Sequence, residues 1–356
     1  MKLLKPFLKW CNARKTMNPT PHRSRPFVIA ELSGNHNRSK DLALDLVRAA
    51  AKAGASAIKL QTYTPDCLTV RGAFTITEPS SPWFGRELFD LYEEANTPWE
   101  WHKELFDAAR DVGIPCFSTP FSTKAVEFLE TLDNPIYKVS SFEINHTPLL
   151  QCVAETGKPV IMSTGGSTVS EIDEAVNMLR KHGCTDLTLL KCTSAYPADP
   201  KEMNLRTIPH MAALFGCDVG LSDHTLGIGV SVASIAFGVT CIEKHMTMSR
   251  ADGGVDSSFS MEPHEMAQLV TEANRAFDAL GRVFYGLEEA EGNVSAGKRS
   301  IYTASNISPG DVFTEENIRV VRPGYGLHPR HFQGLLGQRA QRAIALGEPL
   351  VIQDIQ

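Results

Sequence analysis

From Phe27 onward the chain alternates short apolar runs with longer amphipathic stretches. The short runs predict strands over residues 27–30, 57–60, 115–117, 136–139, 159–162, 187–190, 218–221 and 240–242. Between them the spacing predicts helices, among them 41–53, 99–112, 123–132, 170–182 and 262–281. In the first of these, Leu42, Leu46, Val47 and Ala50 recur at helical intervals, placing one apolar stripe on one face. Ser170, followed three residues later by Asp173, reads as a helix-start signal.

Eight strand-then-helix units within residues 26–282 match the roughly 250 residues of a (β/α)₈ TIM barrel. An open doubly wound α/β sheet is the competing arrangement, but no glycine fingerprint follows the first strand. Residues 65–97 break the rhythm with Pro79, Pro82, Trp83 and Phe84, and a βα loop that long suits a lid. A linker over residues 283–298 carries Gly286, Gly292 and Gly297 and leads to a small second domain, 299–356. That domain repeats itself at an offset of 37: Ile307, Gly310, Asp311, Phe313, Asn317 and Ile318 return as Ile344, Gly347, Glu348, Leu350, Asp354 and Ile355. Each half reads as a strand, a Gly-acid turn and an apolar return. So short a unit is near the lower limit for a core of its own, so it should rest on the barrel or on a partner chain.

Composition narrows the function classes. A net charge of -6 argues against a general nucleic-acid binder while allowing a local basic pocket. Eight cysteines with no CxxC spacing signal neither a disulfide framework nor a structural zinc site, which points to the reducing cytoplasm. Residues 1–25 are basic and irregular, too interrupted for a signal sequence or membrane span, and read as a flexible extension.

In such a barrel the chemistry sits at the C-terminal ends of the strands. Those ends carry Glu31, Lys59 with Gln61, Thr119, Lys138 with Ser141 and Glu143, and Ser163. They continue with Lys191, Ser194 and Tyr196, then Ser222 with His224, and finally Lys244 with His245. Three to four lysines directed inward need an anion to offset their desolvation, and the hydroxyls could donate to phosphate or carboxylate oxygens. The two histidines suit a divalent metal with open positions for substrate oxygens; unrelated loop histidines are the plain alternative. Serines at strand ends also serve as caps and turns, and Glu31 and Glu143 as ordinary ion-pair partners. A Schiff-base aldolase using Lys59, Lys138 or Lys191 remains a second reading, although a metal would already supply the electrophilic activation. A non-catalytic sugar-binding protein is a third.

The segments Ala30-Glu31-Leu32-Ser33-Gly34-Asn35-His36-Asn37, Ile58-Lys59-Leu60-Gln61-Thr62, Ser118-Thr119-Pro120-Phe121 and Leu221-Ser222-Asp223-His224-Thr225 resemble the signatures of the sialic-acid (nonulosonic acid) synthase family. The likeness runs over almost the whole chain from residue 27. Pro82-Trp83-Phe84-Gly85, the segment Thr97–His102 and the segment Ser249–Asp256 look most like its pseudaminic acid branch. So does Ser194, where many N-acetylneuraminate synthases have asparagine.

The resemblance implies condensation of phosphoenolpyruvate with an acetamido sugar, 2,4-diacetamido-2,4,6-trideoxy-altrose in the pseudaminic branch, with release of phosphate. Neuraminate or legionaminate synthesis by the same chemistry is the alternative. It implies a TIM barrel followed by an antifreeze-like (SAF) domain, and Mn²⁺ or Mg²⁺ on His224 and His245. Lys59, Thr119, Lys138 and Ser141 would hold the phosphoenolpyruvate carboxylate, and Ser163, Ser194 and Ser222 its phosphate. Glu31, Gln61, Glu143, Tyr196 and Asp256 would line the sugar pocket. On residue character, Trp83, Phe84 and Met246 could cover the apolar surface of a 6-deoxy sugar; anchoring of the loop to the barrel by Trp83 and Phe84 is the plain alternative. Glu31, Lys59 and Lys138 would be catalytic, Glu31 handling the proton of the attacking water. Arg322 would enter a partner subunit's site in a domain-swapped homodimer.

Overall fold

The computed structural model describes residues 25–79 and 81–356. The N-terminal extension expected over residues 1–25 lies outside them except for Arg25, which pairs with Asp278 at 3.0 Å. The chain divides into a unit ending at Gly281 and a second, Arg282–Gln356.

The first unit is the expected barrel. Strands β1 (Phe27–Glu31), β2 (Ala57–Thr62), β3 (Cys116–Pro120), β4 (Tyr137–Val139), β5 (Val160–Ser163), β6 (Leu187–Cys192), β7 (Asp218–Ser222) and β8 (Cys241–His245) form a closed sheet in sequence order. β1 closes it by pairing in parallel with both β2 and β8.

Side chains alternate across each strand, so one set fills the barrel and the other packs under the helices. The inner set includes Phe27, Ile29, Ala57, Phe117, Ile136, Ile161, Leu190 and Cys241, one buried apolar cluster. Gly220 shares this face because a methyl group there would run into Cys241 and Leu190. Two residues further along each strand the same face turns polar: Glu31, Lys59, Thr119, Lys138, Ser163, Cys192, Ser222 and Glu243. The barrel thus has an apolar floor and a charged layer directly above it.

The outward set packs against the surrounding helices. Helix Lys40–Lys52 starts at Ser39, whose hydroxyl accepts from the Leu42 amide, and buries Ala43, Leu46, Val47 and Ala50. The start signal assigned to Ser170 belongs two residues earlier. Thr168 and Glu171 form a reciprocal capping box on Val169–Lys181, because the Glu171 carboxylate can reach back to the Thr168 amide. Residues 65–97 hold two helices of their own, Pro65–Leu68 and Leu88–Ala95, with a bridge between Thr75 and Glu87.

In the second unit β9 (Ser300–Thr303) and β10 (Ile318–Val321) pair antiparallel. The repeat appears as equivalent hydrogen bonds. Asp311 accepts from the Ser308 amide as Glu348 does from Ala345, and Asn317 accepts from Thr314 as Asp354 does from Val351. Ile307 and Ile344 exchange both backbone bonds at 2.9 Å. The repeated apolar positions therefore face each other and close the small core.

Two histidines in the barrel unit are held neutral. Burial pushes His36 and His102 down to about 4, and their ring nitrogens lie beside the Thr97 and Thr62 hydroxyls. The unfolded chain takes up these protons near 6.5, so their contribution is full above that pH and is lost as pH falls toward 4. Between about pH 7 and 5 urea unfolding should lose about 2 kcal/mol per histidine. His102→Gln should flatten that slope by about half; a slope equal to wild type would contradict the assignment.

Candidate active site

A cavity of about 450 Å³ opens above the charged layer. Its wall includes Lys59, Gln61, Thr119, Lys138, Ser141, Glu143, Ser163, Tyr196, Ser222, His224, His245 and Asp256. Twelve of the residues singled out in the sequence therefore converge on one space. Ser194 is not among the lining residues; its hydroxyl lies 3.9 Å from the sulfur of Cys192, which is. Arg322 belongs to the second unit, where its side chain is exposed.

Glu31 is fully buried behind the wall. It forms an ion pair with Lys59 and accepts from the Ser33 hydroxyl at 2.7 Å and from Gln61 at 3.2 Å. Glu243, which the sequence motifs pass over, stands within 3.8 Å of both Lys59 and Lys138 and accepts from Ser222 at 3.3 Å. Its Oε2 has no hydrogen-bond partner. Burial alone would discharge the Lys59 ammonium, but Glu243 and Glu31 outweigh it and hold its pKa above the usual lysine value. Burial wins at Lys138, whose pKa falls despite Glu243, with Lys59 pushing it further down.

Only two of the four rim lysines face inward. Lys191 and Lys244 each lie one residue out of phase with the inward set. Lys191 donates to the Cys192 carbonyl at 2.9 Å, and Lys244 pairs with Asp223 at 3.2 Å. The same parity identifies Glu243, two residues before His245, and Cys192, two after Leu190, as cavity residues. Burial alone would raise the Cys192 thiol, but His224, Ser141 and Lys138 bring it down to about 7.

The imidazoles of His224 and His245 lie 5.3 Å apart between centroids. His224 Nδ1 contacts the Thr193 carbonyl at 3.0 Å. A carbonyl only accepts, so this nitrogen carries a proton; Nε2 is left for a ligand once the ring gives up its contact with Cys192, which despite burial holds the His224 pKa above its ordinary value. His245 Nδ1 lies 3.2 Å from the Ser33 hydroxyl, whose own proton goes to Glu31. Ser33 therefore accepts from His245 and again leaves Nε2 free. Burial, with His224 and Lys59 nearby, holds His245 well below the usual range, as neutral imidazole. Among the described residues no cluster of three metal-ligating side chains occurs. The pair with fixed tautomers fits an ion that takes two protein nitrogens and fills its other positions from substrate and water.

Hydroxyls gather opposite. Ser141 accepts from the Gly165 amide at 2.9 Å, and the buried Ser163 hydroxyl has no partner. Gly165 must lack a side chain, since a methyl group would run into Ser194, Ser141 and Cys192. Burial raises the carboxyl of Glu143 above its ordinary value, and burial with Glu31 nearby pushes Asp256 up to about 6.

The loop over residues 65–97 supplies an apolar wall: Leu68, Ile76, Trp83, Leu88 and Leu91, faced by Val255. The Trp83 indole donates to the Val255 carbonyl at 2.9 Å. Phe84 and Met246, expected beside Trp83, are elsewhere. Phe84 is 57% exposed, and Met246 packs in the helix-facing core.

The sequence matches the NeuB family over residues 46–285 and the SAF domain over residues 298–356. It is 41% identical to the pseudaminic acid synthase of Campylobacter jejuni subsp. jejuni serotype O:23/36 (strain 81-176), over 93% of this chain and 96% of that one. It is 38% identical to the pseudaminic acid synthase of Helicobacter pylori, over 93% and 98%. The crystal structure of N-acetylneuraminic acid synthetase from Leptospira borgpetersenii in complex with citrate superposes with a TM-score of 0.69 at 31% identity, covering 76% of this chain and 90% of that chain.

Replacing Gly165 with alanine should raise KM for the anionic substrate by about tenfold, a cost of about 1.4 kcal/mol, while leaving the far-ultraviolet spectrum unchanged. Unchanged KM would place the anion away from Ser141 and Ser194.

Proposed function

We infer that this chain, which belongs to the NeuB family, is a phosphoenolpyruvate-dependent nonulosonic acid synthase, and that the acid it makes is pseudaminic acid. The observation that carries the chemistry is the pair of buried lysines facing a cavity rimmed with hydroxyls. Nearly desolvated cations call for a compact polyanion.

We propose that Lys59, Lys138, Thr119 and Ser141 hold the phosphoenolpyruvate carboxylate and that Ser163, Ser194 and Ser222 meet its phosphate. His224 and His245 would hold Mn²⁺ or Mg²⁺, which when bound polarises the sugar aldehyde as a Lewis acid. The C2=C3 π electrons of phosphoenolpyruvate then form the bond from C3 to the aldehyde carbon, leaving positive charge at C2, while the aldehyde C=O π pair moves to oxygen, which takes up a proton to become the product hydroxyl. Water adds to C2 and gives up a proton. The C2–O bond to phosphate breaks as the ketone forms, the C2 hydroxyl proton passing to the departing phosphate, and Lys138 stabilises that anion. Glu31 is engaged with Lys59, Ser33 and Gln61, so it positions Lys59 and, through Ser33, His245. The unpartnered Oε2 of Glu243 is the better placed acceptor for the water's proton. A Schiff-base route through Lys59 is disfavoured, because its carboxylate partners keep the amine protonated; burial lowers Lys138 and Lys191, and for them borohydride trapping of an enzyme–substrate adduct decides, the condensation route giving none.

The apolar wall of the long loop supports the pseudaminic reading. A 6-deoxy sugar presents a methyl group that Leu68, Ile76, Leu88 and Leu91 can cover, while Gln61, Glu143, Tyr196 and Asp256 read the amides and hydroxyls. Such a wall rejects an added hydroxyl by only about 10²-fold.

For assembly we propose a domain-swapped homodimer in which Arg322 completes a partner's pocket. Arg322 is exposed and makes no ion pair or hydrogen bond among the described residues, and Phe142 and Leu226, in the loops after β4 and β7, are 66% and 61% exposed. The free thiols of the seven described cysteines suit a cytoplasmic setting.

Given phosphoenolpyruvate and Mn²⁺, the protein should release phosphate with 2,4-diacetamido-2,4,6-trideoxy-altrose and more slowly with N-acetylmannosamine. EDTA should stop it. Preference for N-acetylmannosamine would overturn the sugar assignment, and full activity in EDTA would overturn the metal. In the same assay Ile76→Ser should narrow the preference by about tenfold. For the dimer, mixing Arg322→Ala with Lys138→Met chains should recover part of the activity; a verified heterodimer without recovery would show that each chain completes its own site.

A further inference from the structure

The geometry points to a positioning role for the buried Asp223–Lys244 ion pair: it sets the separation of His224 and His245. This inference rests on the reading of those histidines as the ion's ligands. Asp223 and Lys244 are the residues immediately before the two histidines, and alternation turns them to the opposite face of the sheet. Ser222, His224, Glu243 and His245 line the cavity, whereas Asp223 and Lys244 do not. Each is 1% exposed, and their charged ends are 3.2 Å apart.

The pair sits where the backbone no longer holds the strands in register. The β7–β8 ladder pairs Leu221 with Ile242 and Ser222 with Glu243 and goes no further. One more bond, from the Asp223 amide to the Glu243 carbonyl at 3.0 Å, closes it. His224 therefore lies beyond the last rung, and the cross-strand contact at this level is made by side chains.

The contacts form a knot around His224. The Asp223 carboxylate accepts from the Thr225 amide at 2.9 Å, the Thr225 hydroxyl at 2.7 Å and Ser231 at 2.5 Å. Lys244 also donates to the Thr225 carbonyl. Both chain neighbours of His224 are thereby tied to the residue that precedes His245. A buried ion pair is seldom the most stable filling of such a space, and apolar residues of similar volume often serve as well or better. What apolar residues lack is direction. The pair and its hydroxyl partners fix one arrangement of two loops whose other faces carry the imidazoles.

Asp223→Leu/Lys244→Met removes both charges at once and keeps the volume, so the barrel should fold. Two measurements on the full-length metal-free protein test the role. In its crystal structure the imidazole centroids should depart from the wild-type 5.3 Å, or the His224 ring should lose a single position. Mn²⁺ titration followed by electron paramagnetic resonance should show affinity lower by about 10- to 100-fold, the usual loss when an outer partner of a metal ligand is removed. Retention of the 5.3 Å separation would overturn the inference, whatever the melting temperature does. So would wild-type Mn²⁺ affinity in the double variant. If wild-type protein binds no Mn²⁺, or His224→Ala binds it equally well, the ion reading fails. The imidazole separation then still decides the positioning claim.

Discussion

Two lysines and two carboxylates share one layer of the barrel interior, and each is tolerable there because of the others. Lys59 is 3% exposed, Lys138 2%, Glu31 0% and Glu243 4%. An unpaired charge at such depth costs several kcal/mol, so removing any one of the four lowers stability unless a bound anion or a neutral isostere takes its place. Glu31 holds Lys59, while Glu243 stands between Lys59 and Lys138 at the edge of hydrogen-bonding reach. The cluster is balanced in number but not in geometry: among the described residues Lys138 makes one ion pair, to that distant carboxylate, and one hydrogen bond, to the Val139 carbonyl at 3.2 Å. A compact acid entering the cavity supplies what Lys138 lacks.

The rest of the site follows from this layer. The apolar floor of Phe27, Ile29, Phe117 and Ile161 keeps water from below, so solvent reaches the charges from the cavity. Ser33 joins the charge cluster to the histidine pair by giving its proton to Glu31 and accepting from His245. One carboxylate thus governs both the lysine that would hold the acid and the histidine that would hold the ion. Above them the cavity has two characters: hydroxyls and charges on the strand side, leucine, isoleucine and tryptophan on the side of the long loop. That division matches a reaction joining a polyanion to a partly deoxygenated sugar.

The barrel is legible in the sequence because short apolar runs and helical stripes alternate eight times, and the chemistry because strand ends carry polar residues two positions beyond apolar ones. Chain position alone misleads about direction. Lys191 and Lys244 stand at strand ends like Lys59 and Lys138, but parity turns them away from the cavity. Applying the same parity from His245 would have found Glu243. Loop residues offer no such rule: Trp83 reaches the cavity and Phe84, its neighbour, faces solvent, because the turn and the bond to Val255 decide their directions. The burial of Glu31 behind Lys59 is equally invisible locally, since it depends on Gln61 and Ser33 meeting across β1 and β2. The 37-residue repeat is legible throughout, because its turns are made by short-range side-chain caps.

The central claim is that the buried lysines are arranged to take phosphoenolpyruvate. Equilibrium binding of phosphoenolpyruvate, measured calorimetrically without sugar, tests it directly on wild type, Lys138→Met and Glu243→Gln. Lys138→Met should lose about tenfold or more in affinity, 1.4 kcal/mol or greater. Glu243→Gln removes a competing negative charge and should bind at least as tightly as wild type. Wild-type affinity in Lys138→Met would contradict the account.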